Sequence, residues 1–122
     1  MPHHDTDLAI IGAGPTGLFA AYYAGFRGLR VAVIDSLPEL GGQVTAMYPE
    51  KQILDVAGFP SIKGRDLVEG LVEQANTAEP EYLLDKTATG LTTSDPRHAY
   101  TYRVALTLGR LAQPDSTTPP TV

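Results

Sequence analysis

The chain has 122 residues, 43% of them hydrophobic, and its 9 basic and 14 acidic residues give a formal net charge of −5. This composition suits one folded domain or part of a larger one and excludes wholesale disorder. The acidic balance, without a Lys/Arg cluster, argues against a nucleic-acid partner, and the lack of cysteine excludes disulfides and thiolate chemistry within the chain. No signal peptide is visible and no apolar stretch is long enough to span a membrane, so we expect no membrane association and a soluble, cytoplasmic protein.

The N-terminal part of the sequence predicts a strand, a helix and a second strand. Residues 8–11 are a short apolar run ending at a glycine, which is typical of a buried parallel strand. Residues 15–27 predict a helix with a proline in its first turn and Gly28 at its stop. Residues 31–34 predict a second buried strand, closed by Asp35. The three elements fit within about thirty residues, the size of a βαβ unit.

A long connection follows the predicted βαβ unit. Residues 36–60 are rich in glycine and proline, and residues 51–56 predict a short extended piece within them. Connections of this length in a compact domain are functional loops or linkers. The apolar and aromatic side chains of this one favour a functional loop.

The second half of the chain predicts fewer elements. Residues 65–78 have the periodicity of an amphipathic helix, residues 82–84 predict a strand, and residues 100–108 alternate as a strand does. The last ten residues have no core-forming pattern and predict a disordered tail. We therefore expect a domain over residues 1–112 and a tail over residues 113–122.

The glycine-rich segment at residues 12–17 matches G-x-G-x-x-G in its required context. A strand precedes it, a helix follows it, and Asp35 closes the next strand 23 positions after Gly12. In such a turn Gly12 permits the tight bend, Gly14 lets a pyrophosphate approach the backbone, and Gly17 lets the helix lie close to the sheet. The helix N terminus offers free N–H groups and the positive end of its dipole. These residues predict a dinucleotide site.

Two further features refine this prediction. Asp35 is placed to accept hydrogen bonds from the ribose hydroxyls of the adenosine half, and its charge disfavours the 2′-phosphate of NADP. The alternative is a glycine-rich turn with an incidental surface aspartate. Gly17, Ala21 and Gly25 are spaced four apart and predict close packing of the helix against a strand. The fingerprint itself leaves open whether FAD or NAD is bound.

Residues 7–74 resemble the N terminus of ferredoxin–NADP reductases of the thioredoxin-reductase-like type. Gly-Gly-Gln at 41–43 is shared with thioredoxin reductases, whereas Tyr-Pro-Glu-Lys at 48–51 and Asp-Val-Ala-Gly-Phe-Pro at 55–60 are more specific to the ferredoxin reductase branch. The resemblance covers somewhat over half of the chain and is carried by residues 11–23, 37–43, 47–51 and 53–60.

The resemblance implies an FAD site. Thr16 would lie at the pyrophosphate turn, Gln43 and Tyr48 would reach the flavin half, and Tyr48 would lie against the isoalloxazine ring. A planar aromatic and a side-chain amide near a helix-bound pyrophosphate suit an extended flavin dinucleotide. Core packing for Tyr48 and a bond to loop backbone for Gln43 remain alternatives. We expect no catalytic and no metal-binding residue in this chain. Ala88 would contact the adenine through its backbone. The expected cofactor-binding residues are Gly12, Gly14, Thr16, Gly17, Asp35, Gln43, Tyr48 and Ala88.

The resemblance also implies an activity. In the intact family NADPH gives a hydride to FAD, electrons pass singly to ferredoxin or a similar carrier, and the protein is a homodimer. This chain shows no second G-x-G-x-x-G for NADPH, and residues 89–110 look shortened. We therefore expect an α/β fold: a Rossmann-like βαβ FAD-binding domain with a parallel sheet that is incomplete. We expect the chain to be the N-terminal part of such a reductase and to be inactive alone. A thioredoxin-reductase-like flavoprotein part and a non-catalytic nucleotide-binding fragment are the alternatives.

Overall fold

Three short parallel strands and two helices form the centre of the molecule. The computed structural model describes residues 4–94 and 103–109. The elements in chain order are β1 (Leu8–Ile11), α1 (Pro15–Phe26), β2 (Val31–Ile34), α2 (Gly42–Met47), β3 (Gln52–Ile53), β4 (Ile62–Lys63), α3 (Gly64–Asn76), β5 (Glu81–Leu83), β6 (Thr87–Ser94) and β7 (Arg103–Gly109).

The parallel sheet has the strand order β1-β2-β5. Leu8 pairs with Val31, and Ala32 pairs with Glu81, so β2 has a neighbour on each side. All four residues of β2 are buried, as its uninterrupted apolar sequence requires. This arrangement confirms the predicted α/β, Rossmann-like fold with a parallel sheet.

The strand β1 is less buried than its sequence predicts. Leu8 is 37% and Ile11 is 63% exposed, whereas Ile10 packs against the core. Within the described residues β1 is an edge strand of the parallel sheet, because β2 pairs with it on one side only. The prediction of a parallel strand was right, but the prediction that it is buried was wrong.

The helix α1 has the predicted start and ends one residue earlier than predicted. Proline occupies its first turn, and Arg27 caps its C terminus. Gly28 follows with φ +86°, a left-handed conformation that ends the helix at little cost because glycine lacks a Cβ. Leu18, Ala21 and Ala24 face the core, together with residues of β2 and α3.

The helix α2 was not predicted. It has six residues and begins after Gly41, whose φ is +109°. Glycine is a poor helix former, so nothing local indicates a helix here. Contacts outside the helix support it instead: the Gly41 N–H donates to the carbonyl of Ala13 over 2.8 Å, and the Thr45 hydroxyl donates to the carbonyl of Leu40 over 2.8 Å.

The rest of the long connection forms a small antiparallel pair. Gln52 of β3 pairs with Lys63 of β4, and Val56 forms an isolated bridge with Phe59. The extended piece predicted over residues 51–56 is thus confined to two strand residues and one bridge residue.

The helix α3 confirms the predicted amphipathic pattern. Its buried residues include Leu67, Val68 and Ala75, all on the predicted apolar face. The helix runs over Gly64–Asn76 and β5 over Glu81–Leu83, each within two residues of the predicted bounds.

The last two strands form an antiparallel hairpin outside the parallel sheet. Leu91 of β6 pairs with Leu106 of β7, and the register shifts between Ala88 and Gly90. The strand predicted over residues 100–108 overlaps β7, while the predicted tail at 113–122 lies outside the described residues. No helix in the described part of the chain is long and apolar enough to cross a membrane.

Candidate dinucleotide-binding site

The glycine-rich turn joins the end of β1 to the start of α1. The Gly12 N–H donates to the carbonyl of Ile34 over 2.7 Å, which joins the turn to the end of β2. Gly12 has φ +113°, a conformation that side-chain-bearing residues rarely adopt, so the predicted role of this glycine in the bend is confirmed. The first helical bond runs from the Leu18 N–H to the carbonyl of Gly14 over 2.9 Å.

The other two glycines of the motif have different surroundings. A Cβ at Gly17 would overlap the carbonyl oxygen of Gly12 and lie 3.4 Å from a methyl carbon of Ile10. Only glycine therefore lets α1 lie this close to β1, as the sequence predicted. A Cβ at Gly14 would meet no atom within 4 Å, so the turn is open on that side. At Gly25 the close neighbour is Ala78, after α3, rather than the strand that the small-residue spacing predicted.

The N terminus of α1 is available to an anion. No side chain in the described part of the chain caps this helix, and its first residue, Pro15, has no N–H to satisfy. The exposed Thr16 lies beside it in the first turn. The amide groups of the first turn and the positive end of the helix dipole therefore face the open side of the turn.

Asp35 is half-buried at the end of β2 and has a structural role that the sequence did not reveal. Its Oδ2 accepts a hydrogen bond from the Ala13 N–H over 2.7 Å, and its Oδ1 accepts one from the Leu37 N–H over 2.8 Å. Each carboxylate oxygen can accept a second hydrogen bond. Asp35 thus fixes the glycine-rich turn and keeps acceptor capacity for a sugar hydroxyl.

A groove of about 190 Å³ opens beside Asp35. The Lys86 N–H donates to the carbonyl of Asp35 over 3.0 Å, which brings the start of β6 to this edge of the sheet. The hydroxyl oxygen of Thr87 is buried there and has no hydrogen-bond partner among the described residues. The groove is lined by Ile11, Gly12, Ile34, Asp35, Ser36, Lys86, Thr87 and Ala88.

The groove therefore brings together three of the predicted site residues, Gly12, Asp35 and Ala88. Ser36, Lys86 and Thr87 were not predicted from the sequence. Lys86 and Thr87 reach the groove because β6 starts beside the end of β2, which no local pattern indicates. Drug-sized ligands usually occupy clefts of about 300–1,000 Å³. The groove is thus of a size for one half of a dinucleotide, and its mixed apolar and hydrogen-bonding lining suits an adenosine.

The two residues predicted to reach the flavin, Gln43 and Tyr48, lie on α2 and directly after it. A Cβ at Gly42 would lie 3.0 Å from Gly14 Cα, so the start of α2 touches the glycine-rich turn. Gln43 is exposed in the first turn of α2, and Tyr48 follows the last turn with 38% of its surface exposed. Tyr48 is therefore not a core residue. The turn thus borders the groove at Gly12 and touches the start of α2 at Gly14.

The segment around Tyr48 is attached to the start of α3. The carboxylate of Glu50 pairs with Lys63 over 3.7 Å and with Arg65 over 3.1 Å. The Arg65 N–H donates to the carbonyl of Pro49 over 2.7 Å. Pro49 and Glu50 are thus attached to residues 63–65, which no sequence pattern predicted.

The resolved pKa shifts lie elsewhere in the molecule. Hydrogen bonds from Arg30 lower the pKa of the Asp7 carboxyl. Asp7 directly precedes β1 and Arg30 directly precedes β2, so the pair lies at the end of the sheet opposite Gly12. Burial raises the pKa of the Tyr82 phenol, which donates to Asn76 Oδ1 over 2.6 Å. No cluster of three or more potential metal ligands occurs within residues 4–94 and 103–109.

Comparison with known proteins agrees with this geometry. A family described as an NAD(P)-binding Rossmann-like domain matches residues 10–57. The "Ferredoxin--NADP reductase" of a Nocardioides strain is 81% identical over 91 residues, covering 75% of this chain and 28% of that protein. The protein of the same name from Frankia alni is 56% identical over 112 residues, covering 85% of this chain and 35% of the relative.

Solved structures give the same fold. The thioredoxin reductase of Lactococcus lactis superposes with a TM-score of 0.63 at 22% identity, covering 84% of this chain and 31% of that one. The thioredoxin reductase of Gloeobacter violaceus superposes with a TM-score of 0.62 at 27% identity, covering 84% and 30%.

These findings confirm the resemblance that the sequence suggested. The chain spans about a third of the length of the curated relatives it matches. On sequence and fold together, the chain resembles part of the ferredoxin–NADP reductases of the thioredoxin-reductase-like type.

Proposed function

We propose that this chain binds FAD as the N-terminal part of a flavoprotein ferredoxin–NADP reductase. One observation carries the proposal: an open glycine-rich turn at an uncapped helix N terminus borders the Asp35 groove at Gly12 and, at Gly14, touches the start of α2, the helix that Tyr48 follows. An adenosine, a pyrophosphate and a flavin follow one another in the same order along FAD.

Each predicted residue then has an assigned contact. The pyrophosphate lies against Gly14 and the amides of the first turn of α1, beside Thr16, while Gly12 and Gly17 shape the turn. The free lone pairs of Asp35 accept the ribose hydroxyls. The backbone of Ala88 lies at the adenine in the groove.

The flavin half is assigned to α2 and the residue that follows it. The Gln43 amide offers both donors and acceptors to the polar edge of a flavin, and Tyr48 offers an aromatic face. When bound, FAD supplies the capacity to accept a hydride and to release electrons singly. The residues of this chain bind and orient it, and none of them is proposed as an acid, a base or a nucleophile.

The activity of the whole protein is part of the proposal. We infer that NADPH reduces FAD and that ferredoxin or a similar carrier receives the electrons. The curated relatives carry this activity in their names, and the chain spans about a third of their length. The proposal includes a cytoplasmic homodimer for the intact protein. Within this chain we assign the FAD-binding portion to residues 1–112.

We propose that the chain alone does not turn over NADPH. Its one dinucleotide fingerprint contains an acidic residue at Asp35, which disfavours a 2′-phosphate. Hydride transfer needs the two reacting atoms about 3–3.5 Å apart, which requires a second nucleotide site. Sustained NADPH oxidation by the purified chain with FAD and a dye acceptor, well above that of free FAD, would contradict this.

A thioredoxin-reductase-like flavoprotein is the second candidate, because the solved structures cited above are thioredoxin reductases. The 81% identity to a ferredoxin–NADP reductase favours the first candidate. The two are distinguished by joining this chain to the remainder of a relative and comparing reduction of ferredoxin with reduction of thioredoxin.

The decisive experiment is a binding titration. The 122-residue chain is purified and titrated with FAD, NAD⁺, NADP⁺ and ADP by calorimetry. We expect FAD to bind more tightly than ADP, because the flavin half adds contacts, and NADP⁺ to bind most weakly. Equal affinity for FAD and ADP would refute the flavin contacts, and a folded chain that binds neither would refute the proposal.

A further inference from the structure

Lys51 lies over the ring of Tyr48. Its ammonium nitrogen is 5.6 Å from the ring centroid, within the range in which a cation is attracted to the negative face of an aromatic ring. The Lys51 N–H also donates to the carbonyl of Tyr48 over 3.2 Å. Cation and ring thus belong to one tight turn, residues 48–51.

The charge of Lys51 is not used by a neighbouring acid. Its adjacent carboxylate, Glu50, pairs with Lys63 and Arg65. Within the described ranges, no ion pair involves Lys51. The Tyr48 ring is therefore its one aromatic or charged contact in that part of the chain.

The backbone of this turn is hydrogen-bonded to the start of α3. The Gly64 N–H donates to the carbonyl of Lys51 over 3.0 Å, and the Arg65 N–H donates to the carbonyl of Pro49 over 2.7 Å. A fixed backbone leaves the side-chain torsions of the exposed Tyr48 as the main freedom of its ring. A cation on one face of the ring restricts them.

We propose that Lys51 is a positioning residue that covers one face of the Tyr48 ring and presents the other face to the isoalloxazine of FAD. This inference rests on the proposed function. An aromatic ring has two faces, so the cation and a stacked flavin do not compete for the same one. Holding the ring before the flavin arrives lowers the ordering cost of binding.

The test compares Lys51→Gln with Lys51→Arg in the full chain. Stacked tyrosine quenches flavin fluorescence, so quenching reports the ring position directly. An exposed cation–π contact of about 0.5–1 kcal/mol corresponds to a roughly two- to five-fold change in affinity. We expect Lys51→Gln to raise the FAD dissociation constant by that factor and to increase the fluorescence of bound flavin. Lys51→Arg should keep the FAD affinity and the flavin quenching of the wild type.

A double-mutant cycle separates this role from a general effect of charge. In a Tyr48→Leu background, Lys51→Gln should change FAD affinity no further, because the ring is absent. Arg27→Gln, which removes an exposed positive charge at the end of α1, is the matched control and should leave flavin fluorescence unchanged. Full additivity in the cycle would overturn the proposal, as would tighter binding or stronger quenching in Lys51→Gln, since the ammonium would then block the flavin face.

A measurement without flavin separates failure of this inference from failure of the proposed function. In the flavin-free chain, ring currents should shift the Lys51 side-chain methylene resonances upfield, and Tyr48→Leu should abolish the shift. Absence of the shift overturns the inference whatever the chain binds. If the shift is present and the folded chain binds no FAD, the proposed function fails and the flavin-positioning role fails with it.

Discussion

Replacing Gly17 by alanine should destabilise the chain severely, because the new Cβ would overlap the carbonyl oxygen of Gly12. That carbonyl belongs to a backbone that is held on both sides. The Gly12 N–H bonds the carbonyl of Ile34 over 2.7 Å, and the Ala13 N–H bonds Asp35 over 2.7 Å. The strain is therefore relieved only by moving α1 away from the sheet or by breaking these bonds.

Overpacking a well-packed site usually costs about 1–3 kcal/mol. Because the overlapping atom is backbone, we expect the upper end of this range, about 3 kcal/mol. Urea dependences for small proteins are about 1–3 kcal/mol per M, so the unfolding midpoint should fall by about 1–3 M. From a total stability of about 5 kcal/mol, the lower end of the usual range, about 2 kcal/mol would remain, so roughly a few per cent of the chains would be unfolded.

Gly14→Ala is the matched control, since the same methyl group meets no atom within 4 Å and Gly14 has φ −75°. Its unfolding midpoint should stay near that of the wild type, with a stability change of about 0.5 kcal/mol or less. Its FAD affinity should fall, because the methyl group occupies the approach to the pyrophosphate.

The assay is urea unfolding followed by circular dichroism, paired with calorimetric FAD titration of each variant that folds. Equal destabilisation by the two substitutions would refute the steric argument. An unchanged midpoint for Gly17→Ala would show that α1 can move from the sheet without cost.

Three further predictions concern Asp35, Asp7 and Tyr82. Asp35→Ala should lower both the FAD affinity and the stability, because the Ala13 and Leu37 N–H groups lose their acceptor. Urea titrations should show a loss of about 1–3 kcal/mol of unfolding free energy. A loss of FAD affinity at unchanged stability would contradict this. Hydrogen bonds from Arg30 lower the pKa of the Asp7 carboxyl. Asp7 should therefore stabilise the fold at pH values above its ordinary pKa of 3.8, and this stabilisation should be lost as the pH falls below that value. Asp7→Asn should accordingly flatten the acid limb of a curve of stability against pH. Burial raises the pKa of the Tyr82 phenol, so its contribution to stability should be complete at pH values below its ordinary pKa of 10.0 and should be lost as the pH rises further. Tyr82→Phe should therefore reduce the loss of thermal stability at alkaline pH. An unchanged alkaline limb in the variant would refute this.

The parts of the fold that the sequence predicted are those with a local cause. The apolar run of β2 and the amphipathic face of α3 are periodic patterns, and Gly28 ends α1 through its own backbone conformation. The glycine-rich turn was predictable because Gly12 meets a conformational need and Gly17 a steric one, both within a few residues of sequence.

The parts that escaped prediction depend on residues far apart in the chain. The helix α2 begins with glycines and is supported by a bond from Gly41 to Ala13, which no window of local sequence contains. The exposure of Ile11 depends on which strands lie beside and over β1, not on its own apolar character. Lys86 and Thr87 reach the groove because β6 starts beside Asp35.

Asp35 shows why a motif residue is an incomplete guide to a site. The fingerprint assigns it to a ribose, whereas in the structure its carboxylate already accepts two backbone hydrogen bonds that join β2 to the glycine-rich turn and to the following loop. The bonds do not exhaust its acceptor capacity, so the two roles are compatible. They also place the carboxylate beside the groove before any ligand binds. A site whose acceptor is already ordered pays less entropy on binding, which gives the folding role of Asp35 a direct consequence for affinity.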